Sequence, residues 1–179
     1  MLGLDLMAAP ASAIPSDSDV AFEELYRSSR DDVFAFVAGM LRDQVAAEDV
    51  TATAFERAYR RSSSFDGRRG SRRAWLFGIA RNAALDELRR RKRVTELTTE
   101  PVDEGIGPDE GAEVALRRAV LREAMAGLTD AERELVGLRF FAGLTIREVA
   151  AVISTSERAA AMRVHRTIEK LREACDGAA

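Results

Sequence analysis

The sequence is poor in the residues that staple small folds together or carry most enzymatic chemistry. A single cysteine, Cys175, leaves no intramolecular disulfide to form, which fits a reducing compartment and a cytoplasmic location. There is one histidine, His165, and no Cys/His cluster at ligand spacing, so neither a metal nor another cofactor is expected. Glycine-rich phosphate loops, nucleophile elbows and paired carboxylates are all missing. An enzyme acting on nucleic acid therefore finds no support, and a non-enzyme is expected. No apolar run is long enough to cross a bilayer. The first residues lack a basic stretch and make a poor signal peptide; their Ala, Pro, Ser and Asp content predicts a disordered leader over residues 1–18. Aromatic residues are only 6% of the chain and β-branched alternation is nearly absent, so the expected fold is all-α.

What the chain has is charge, sorted into blocks that its formal net charge of −3 conceals. Residues 60–93 hold twelve basic and three acidic side chains, a net of +9. Residues 94–113 hold seven acids and no base, and residues 22–59 eight acids against four arginines. A basic block beside an acidic one points to nucleic acid at one surface and a basic or competing partner at another.

Helical spacing places Phe22, Leu25, Tyr26, Val33, Phe36, Val37, Met40 and Leu41 on the buried face of a first helix, with Ser18 or Asp19 as its cap. A second helix over residues 44–61 turns Val50, Ala54, Phe55 and Ala58 inward. The polar loop 62–70 follows, and Ser71 caps a third helix whose stripe is Leu76, Ile79, Ala80 and Ala83. That helix ends in five consecutive positive charges, Arg89 to Arg93. A helix C-terminus is complemented by positive charge, but five in a row exceed what a cap needs, and a polyphosphate backbone offsets their repulsion. Asn82 and Asp86, one turn apart, can form a polar pair. Together residues 19–93 make one helical domain. Residues 94–112, with Pro101, Pro108 and most of the acids, read as a flexible acidic linker.

A second domain, residues 113–175, carries two capping boxes, Thr129-x-x-Glu132 and Thr145-x-x-Glu148, with Gly143 between them as a stop. Ser154-Thr155-Ser156 breaks the chain again and Ser156 caps a last helix. Residues 144–171 thus have the helix-turn-helix layout, whose second helix enters the major groove. Ala160, Val164, Ile168 and Leu171 line its inner face; Arg158, Met162, His165, Arg166 and Glu169 face outward, with Arg163 at the edge. The plain alternative is a helical hairpin with a solvated charged face. Phe65 and Trp75 border the polar loop: Trp75 is expected in the core, while for Phe65 core packing and stacking on an unpaired base stand even.

Two segments resemble the extracytoplasmic-function group of bacterial sigma factors. Residues 47–58 (Ala-Glu-Asp-Val…Ala-Phe-Glu-Arg-Ala) and 74–90 (Ala-Trp-Leu…Ile-Ala-Arg-Asn…Leu-Asp…Leu-Arg-Arg) resemble the second sigma domain. Residues 128–150 (Leu-Thr…Glu-Arg-Glu…Leu-Arg-Phe…Gly-Leu-Thr…Glu-Val-Ala) and 163–166 (Arg-Val-His-Arg) resemble the fourth. The resemblance implies reversible binding to core RNA polymerase and promoter-specific transcription initiation, often under an anti-sigma factor. It implies docking on the polymerase clamp helices through Glu48, Asp49, Thr53 and Arg57. It places Phe65, Arg68, Arg69, Arg72, Arg73, Arg81, Asn82, Arg89 and Arg90 at the minus-ten element, with loop 62–70 holding an extruded base. It places Ser156, Arg158, Met162, Arg163, His165 and Arg166 at the minus-thirty-five element, and threads the acidic linker toward the active-site and RNA-exit channels. The chain departs from the family pattern at Ala52 and Thr53, at Ser154, where the turn usually has glycine, and at Ala159 to Ala161, where a lysine is lost. A stand-alone helix-turn-helix regulator and a sigma-like binding module without initiation activity are the competing readings.

Overall fold

The computed structural model describes residues 17–95 and 112–177. All but the last two residues of the leader and almost all of the acidic linker lie outside them. Seven helices run α1 (Asp17–Leu41), α2 (Gln44–Arg60), α3 (Arg72–Thr95), α4 (Ala112–Ala126), α5 (Asp130–Val136), α6 (Ile146–Val152) and α7 (Glu157–Asp176), with no strand among the described residues. The all-α reading stands.

The first three helices pack against one another, each burying the stripe its spacing predicts. Val33, Phe36, Val37, Met40 and Leu41 of α1 meet Ala47, Val50, Ala54, Phe55 and Ala58 of α2 and Leu76, Phe77, Ala80 and Ala83 of α3. Phe36 and Phe77 meet edge to face at 5.5 Å between ring centres. Tyr26 is the exception on α1: it is exposed, with one ring face on Phe55 at 4.8 Å. Its hydroxyl favours a wet position over the core that helical spacing assigned to it. Neither Ser18 nor Asp19 is the first cap, because α1 is already helical at Asp17. Asp43 caps α2, accepting from Ala46 N at 3.0 Å. The third helix continues through Val94 to Thr95, and α4 starts at Ala112, which trims the expected linker at both ends.

In the second half both capping boxes form as the sequence predicts. The Thr129 and Thr145 side chains accept from Glu132 N and Glu148 N, and the two glutamates reach back to the threonine N–H groups at 2.8 and 3.0 Å. The continuation of α5 was not foreseen. Residues Gly137–Phe141 widen into a π-helical turn, with Ala142 N bonded to Gly137 O at 3.0 Å. Gly143, at φ 63°, then turns the chain and lets Leu144 N reach Leu138 O at 3.1 Å.

The two halves share one core. Leu135, Leu138, Ala142, Leu144 and Val149 belong to the same buried cluster as Phe36 and Phe77. Gly137 makes this approach possible: a Cβ there would stand 2.5 Å from Phe36 Cδ2.

Candidate nucleic-acid interface

The polar loop before α3 is built from two short 3-10 turns, Ser62–Ser64 and Gly67–Arg69. Asp66 caps the second, accepting from Arg68 N at 3.0 Å. Gly70 has φ 144° and ψ −178°, a region closed to residues with a Cβ, so the entry to α3 depends on that glycine. Ser71 caps α3, its Oγ 3.1 Å from Ala74 N. Loop and helix enclose a cleft lined by Ser64, Phe65, Trp75 and Asn82, with Ala151 and Val152 of α6 on its far side. Phe65 is half-buried, edge to face with Trp75 at 5.7 Å, and the Arg72 guanidinium lies 4.8 Å from the centre of its ring. Trp75 packs on the core, while Phe65 borders the cleft. An aromatic floor, an amide and a cation converging on one cleft suit a flat, polar-edged group such as a base.

The basic side chains divide by what they touch. Arg68 is exposed; the Arg69 side chain lies outside the described residues. Arg73 is a hub. It donates to Ala142 O at 2.6 Å, to Phe141 O at 3.1 Å, to Ser29 Oγ at 3.2 Å and to Asp32 Oδ2 at 2.5 Å. Arg81 pairs with Glu134 of α5, the one charged residue among the described residues that is buried. Asn82 is exposed and forms no pair with Asp86, which binds Arg57 at 3.1 Å and Arg89 at 3.3 Å instead. A carboxylate one turn from an arginine on its own helix, and opposite another on α2, finds stronger partners than an amide.

The cationic tail of α3 is partly neutralised from within. Arg90 and Arg91 both bind Glu87, at 2.7 and 2.9 Å, and Arg91 also binds Asp43 at 2.7 Å and reaches Leu41 O. The paired Arg90 and Arg91 guanidiniums hold the Glu87 carboxyl down at about 2. Asp43 is lowered too, first by the Ala46 N–H and then by Arg91. Thus Arg91 clamps the tail to the α1–α2 turn, and carboxylates at i−3 and i−4 offset part of the repulsion that the sequence assigned to a polyphosphate.

On α7, Ser156 Oγ accepts from Ala159 N at 3.2 Å, so this hydroxyl is a helix cap first. Ala160, Val164 and Thr167 are buried, while Arg158, Met162, Arg163, His165 and Arg166 are exposed. Arg158, Arg163 and Arg166 have no ion-pair partner among the described residues; His165 Nε2 lies 3.3 Å from Glu169. Arg147, at the start of α6, is equally exposed and unpaired among the described residues, and sequence reasoning passed over it. Its position at i+2 from the cap Thr145 was the available signal, since side chains there flank the anion-attracting end of a helix.

On α2, Glu48 and Asp49 are exposed, Thr53 is half-buried, and Arg57 is tied to Asp86. Beside them a groove runs between α1 and α2 past Tyr26, Arg30, Phe34, Glu48, Thr51 and Phe55. Thr51 was not anticipated there: its hydroxyl is buried and has no hydrogen-bond partner.

Comparison with known proteins matches residues 25–94 to Sigma-70 region 2 and residues 124–173 to Sigma-70 region 4. The ECF RNA polymerase sigma factor BldN of Streptomyces coelicolor is 32% identical over 84% of this chain, which spans 59% of BldN's length. The ECF RNA polymerase sigma factor SigK of Mycobacterium ulcerans is 30% identical over 87% of this chain and 86% of its own. Among solved structures, the sigma factor RpoE of Bartonella quintana, in complex with the anti-sigma factor NepR, superposes with a TM-score of 0.73 at 21% identity, covering 87% of this chain and 97% of that one. CnrH, in complex with the cytosolic domain of CnrY, gives 0.62 at 25% identity, covering 88% and 89%. With region 2 on the three-helix half, region 4 on the helix-turn-helix half, and relatives of one kind along nearly the whole chain, the protein belongs to the ECF family of RNA polymerase sigma factors.

Proposed function

We propose that this chain binds core RNA polymerase reversibly and directs it to promoters, with each half reading one element and without catalysing a reaction itself. The observation that carries the reading is the presence in one chain of two unlike surfaces, each suited to nucleic acid. One is a cleft floored by Phe65 beside a basic helix; the other is a reading helix with Arg158, Arg163 and Arg166 exposed. A duplex reader alone has no use for the first. Stacking and phosphate contacts there offset the few kcal/mol that extruding a base costs.

The exposed Glu48 and Asp49, with Thr53 and Arg57, form the docking face for the clamp helices. Phe65, Arg68, Arg69, Arg72, Arg73, Arg81, Asn82, Arg89 and Arg90 serve the minus-ten element. Arg158, Met162, Arg163, His165 and Arg166 serve the minus-thirty-five element, presented by the Ser156 cap. Ala159 to Ala161 limit the start of α7 to apolar contacts such as thymine methyls. Action on promoters places the protein in the cytoplasm, and no described helix is long and apolar enough to cross a membrane. Because RpoE was captured with an anti-sigma factor, an inhibitory protein partner is proposed here too.

The test is transcription in vitro from fragmented genomic DNA by purified core polymerase, with and without the protein. Discrete new transcripts support the reading. Binding to core without transcripts would leave a sigma-like binding module, and neither binding nor transcripts would leave a stand-alone regulator.

A further inference from the structure

A second cleft, of about 350 Å³, lies among α3, α5 and α7 and shares no lining residue with the Phe65 cleft. Its buried end is the Arg81–Glu134 ion pair, Leu135 and Ile153 supply apolar walls, and the exposed Arg163 and Arg166 stand at its outer end. Glu134 carries the argument. Its side chain is only 10% exposed. One carboxylate oxygen accepts from Arg81 Nε, and the other, Oε2, has no hydrogen-bond partner among the described residues. Oε2 is not sealed inside the protein either: among the described residues the buried side-chain atoms without a partner are Thr51 Oγ1 and Arg133 Nε. Arg81 spends Nε alone, and its terminal amino groups make no hydrogen bond among the described residues. A carboxylate withdrawn from water is costly unless donors reach its remaining lone pairs. The buried end of the cleft thus offers an acceptor and donors side by side, both open to a ligand.

The outer end asks for something else. Arg163 and Arg166 lie at i and i+3 on α7, so they share a face, and neither has an ion-pair partner among the described residues. Neighbouring guanidiniums match the oxygens of a phosphate group. A DNA backbone would satisfy these arginines, but Glu134 would repel its phosphates. A base edge suits Glu134, because N–H groups donate to Oε2 while a carbonyl oxygen accepts from Arg81. Guanine carries N2–H, N1–H and O6 in a row; adenine offers an amino group and a ring nitrogen, with no carbonyl. Leu135 and Ile153 give a base the apolar contact its faces need, and the volume falls within the range of small-molecule sites.

We infer that this cleft is a binding site for a guanine nucleotide, with the base edge on Glu134 and Arg81 and the phosphate on Arg163 and Arg166. A bound nucleotide takes both α7 arginines away from DNA. That consequence rests on the role proposed for α7, whereas the site itself does not.

The experiment is calorimetric titration of the full chain with guanosine monophosphate, adenosine monophosphate and inorganic pyrophosphate. Guanosine monophosphate is expected to bind at least about tenfold tighter than the other two, the discrimination that one set of paired base contacts supplies. Arg163→Gln and Arg166→Gln, at exposed positions, are each expected to weaken it about tenfold, the loss of a charge-assisted hydrogen bond. Arg147→Gln removes the same charge outside the cleft and is expected to leave the affinity unchanged. Glu134→Gln, checked by circular dichroism for retained helix, is expected to erase the preference for guanine over adenine without weakening pyrophosphate. Pyrophosphate bound as tightly as guanosine monophosphate overturns the base contact. No binding of guanosine monophosphate, or equal weakening by Arg147→Gln and Arg163→Gln, overturns the site. Anisotropy of a labelled mixed-sequence duplex, read with and without guanosine monophosphate, then tests the consequence. Displacement supports it, whereas a bound nucleotide that leaves the duplex in place counts against the DNA role of α7 and leaves the site standing.

Discussion

At the scale of single residues, Ser154 shows what a family preference for glycine is worth. It sits at φ 55°, in the left-handed region, in the turn between α6 and α7. A side chain there costs about 1–2 kcal/mol, and glycine gives back roughly half of the relief through its larger unfolded entropy. Ser154→Gly should therefore raise stability by about 0.5–1 kcal/mol in a urea melt, with the midpoint moving and the slope unchanged. Glu87 gives a second prediction. Its carboxyl is lowered to about 2 by Arg90 and Arg91, against an ordinary 4.5. A lowered folded value means stability that is fully present above pH 4.5 and is lost as pH falls toward 2. Glu87→Gln should lower stability at neutral pH and flatten the acid limb of the profile in that window; an unchanged profile would show that Glu87 contributes nothing to it. The role of Glu87 was legible in principle, since Arg90 and Arg91 follow at i+3 and i+4, but the run of five cations drew the reading toward an external partner instead.

At the scale of elements, the helix starts were the most legible part of the fold. Thr129, Thr145, Ser71 and Ser156 each cap as their spacing announces, because a cap is a local hydrogen bond that sequence encodes directly. The π-turn was not legible: it depends on Gly137 meeting Phe36 about a hundred residues away, and no local pattern records that. Part of the candidate site was hidden for the same reason. Arg73 and Arg81 look like free cations in the sequence, and only tertiary packing shows the oxygens they hold. The tail of α3 can now be divided by experiment. Replacing Arg90 by alanine should weaken DNA binding by the holoenzyme and lower the salt slope by about one, the mark of a lost phosphate contact. Arg91→Ala should instead cost stability, since it frees Asp43 and the end of α1 while changing the slope little. Equal salt slopes for the two variants would refute the division. On α7, Arg158→Ala and Arg166→Ala should each lower transcription from promoters that need the minus-thirty-five element, read as transcript yield at fixed core concentration, and Arg147→Ala should weaken binding uniformly across promoters.

At the scale of the whole molecule, two helical halves were legible in the sequence, and the structure adds that they share one core. Charge segregation alone cannot announce such packing, because the core of the contact is made by apolar residues of both halves around a glycine. The account asks more of region 2 than duplex binding: the Phe65 cleft and the basic face of α3 must hold a strand that has been opened. Permanganate footprinting at a promoter identified by its transcripts tests this directly, since it modifies only unpaired thymines. The account predicts reactive thymines in the minus-ten element when core polymerase and this protein are both present, with neither alone sufficient, and their loss on Phe65→Ala. A promoter that is bound and protected at the minus-thirty-five element, yet unreactive at minus ten under conditions that give transcripts with another sigma factor, would contradict it.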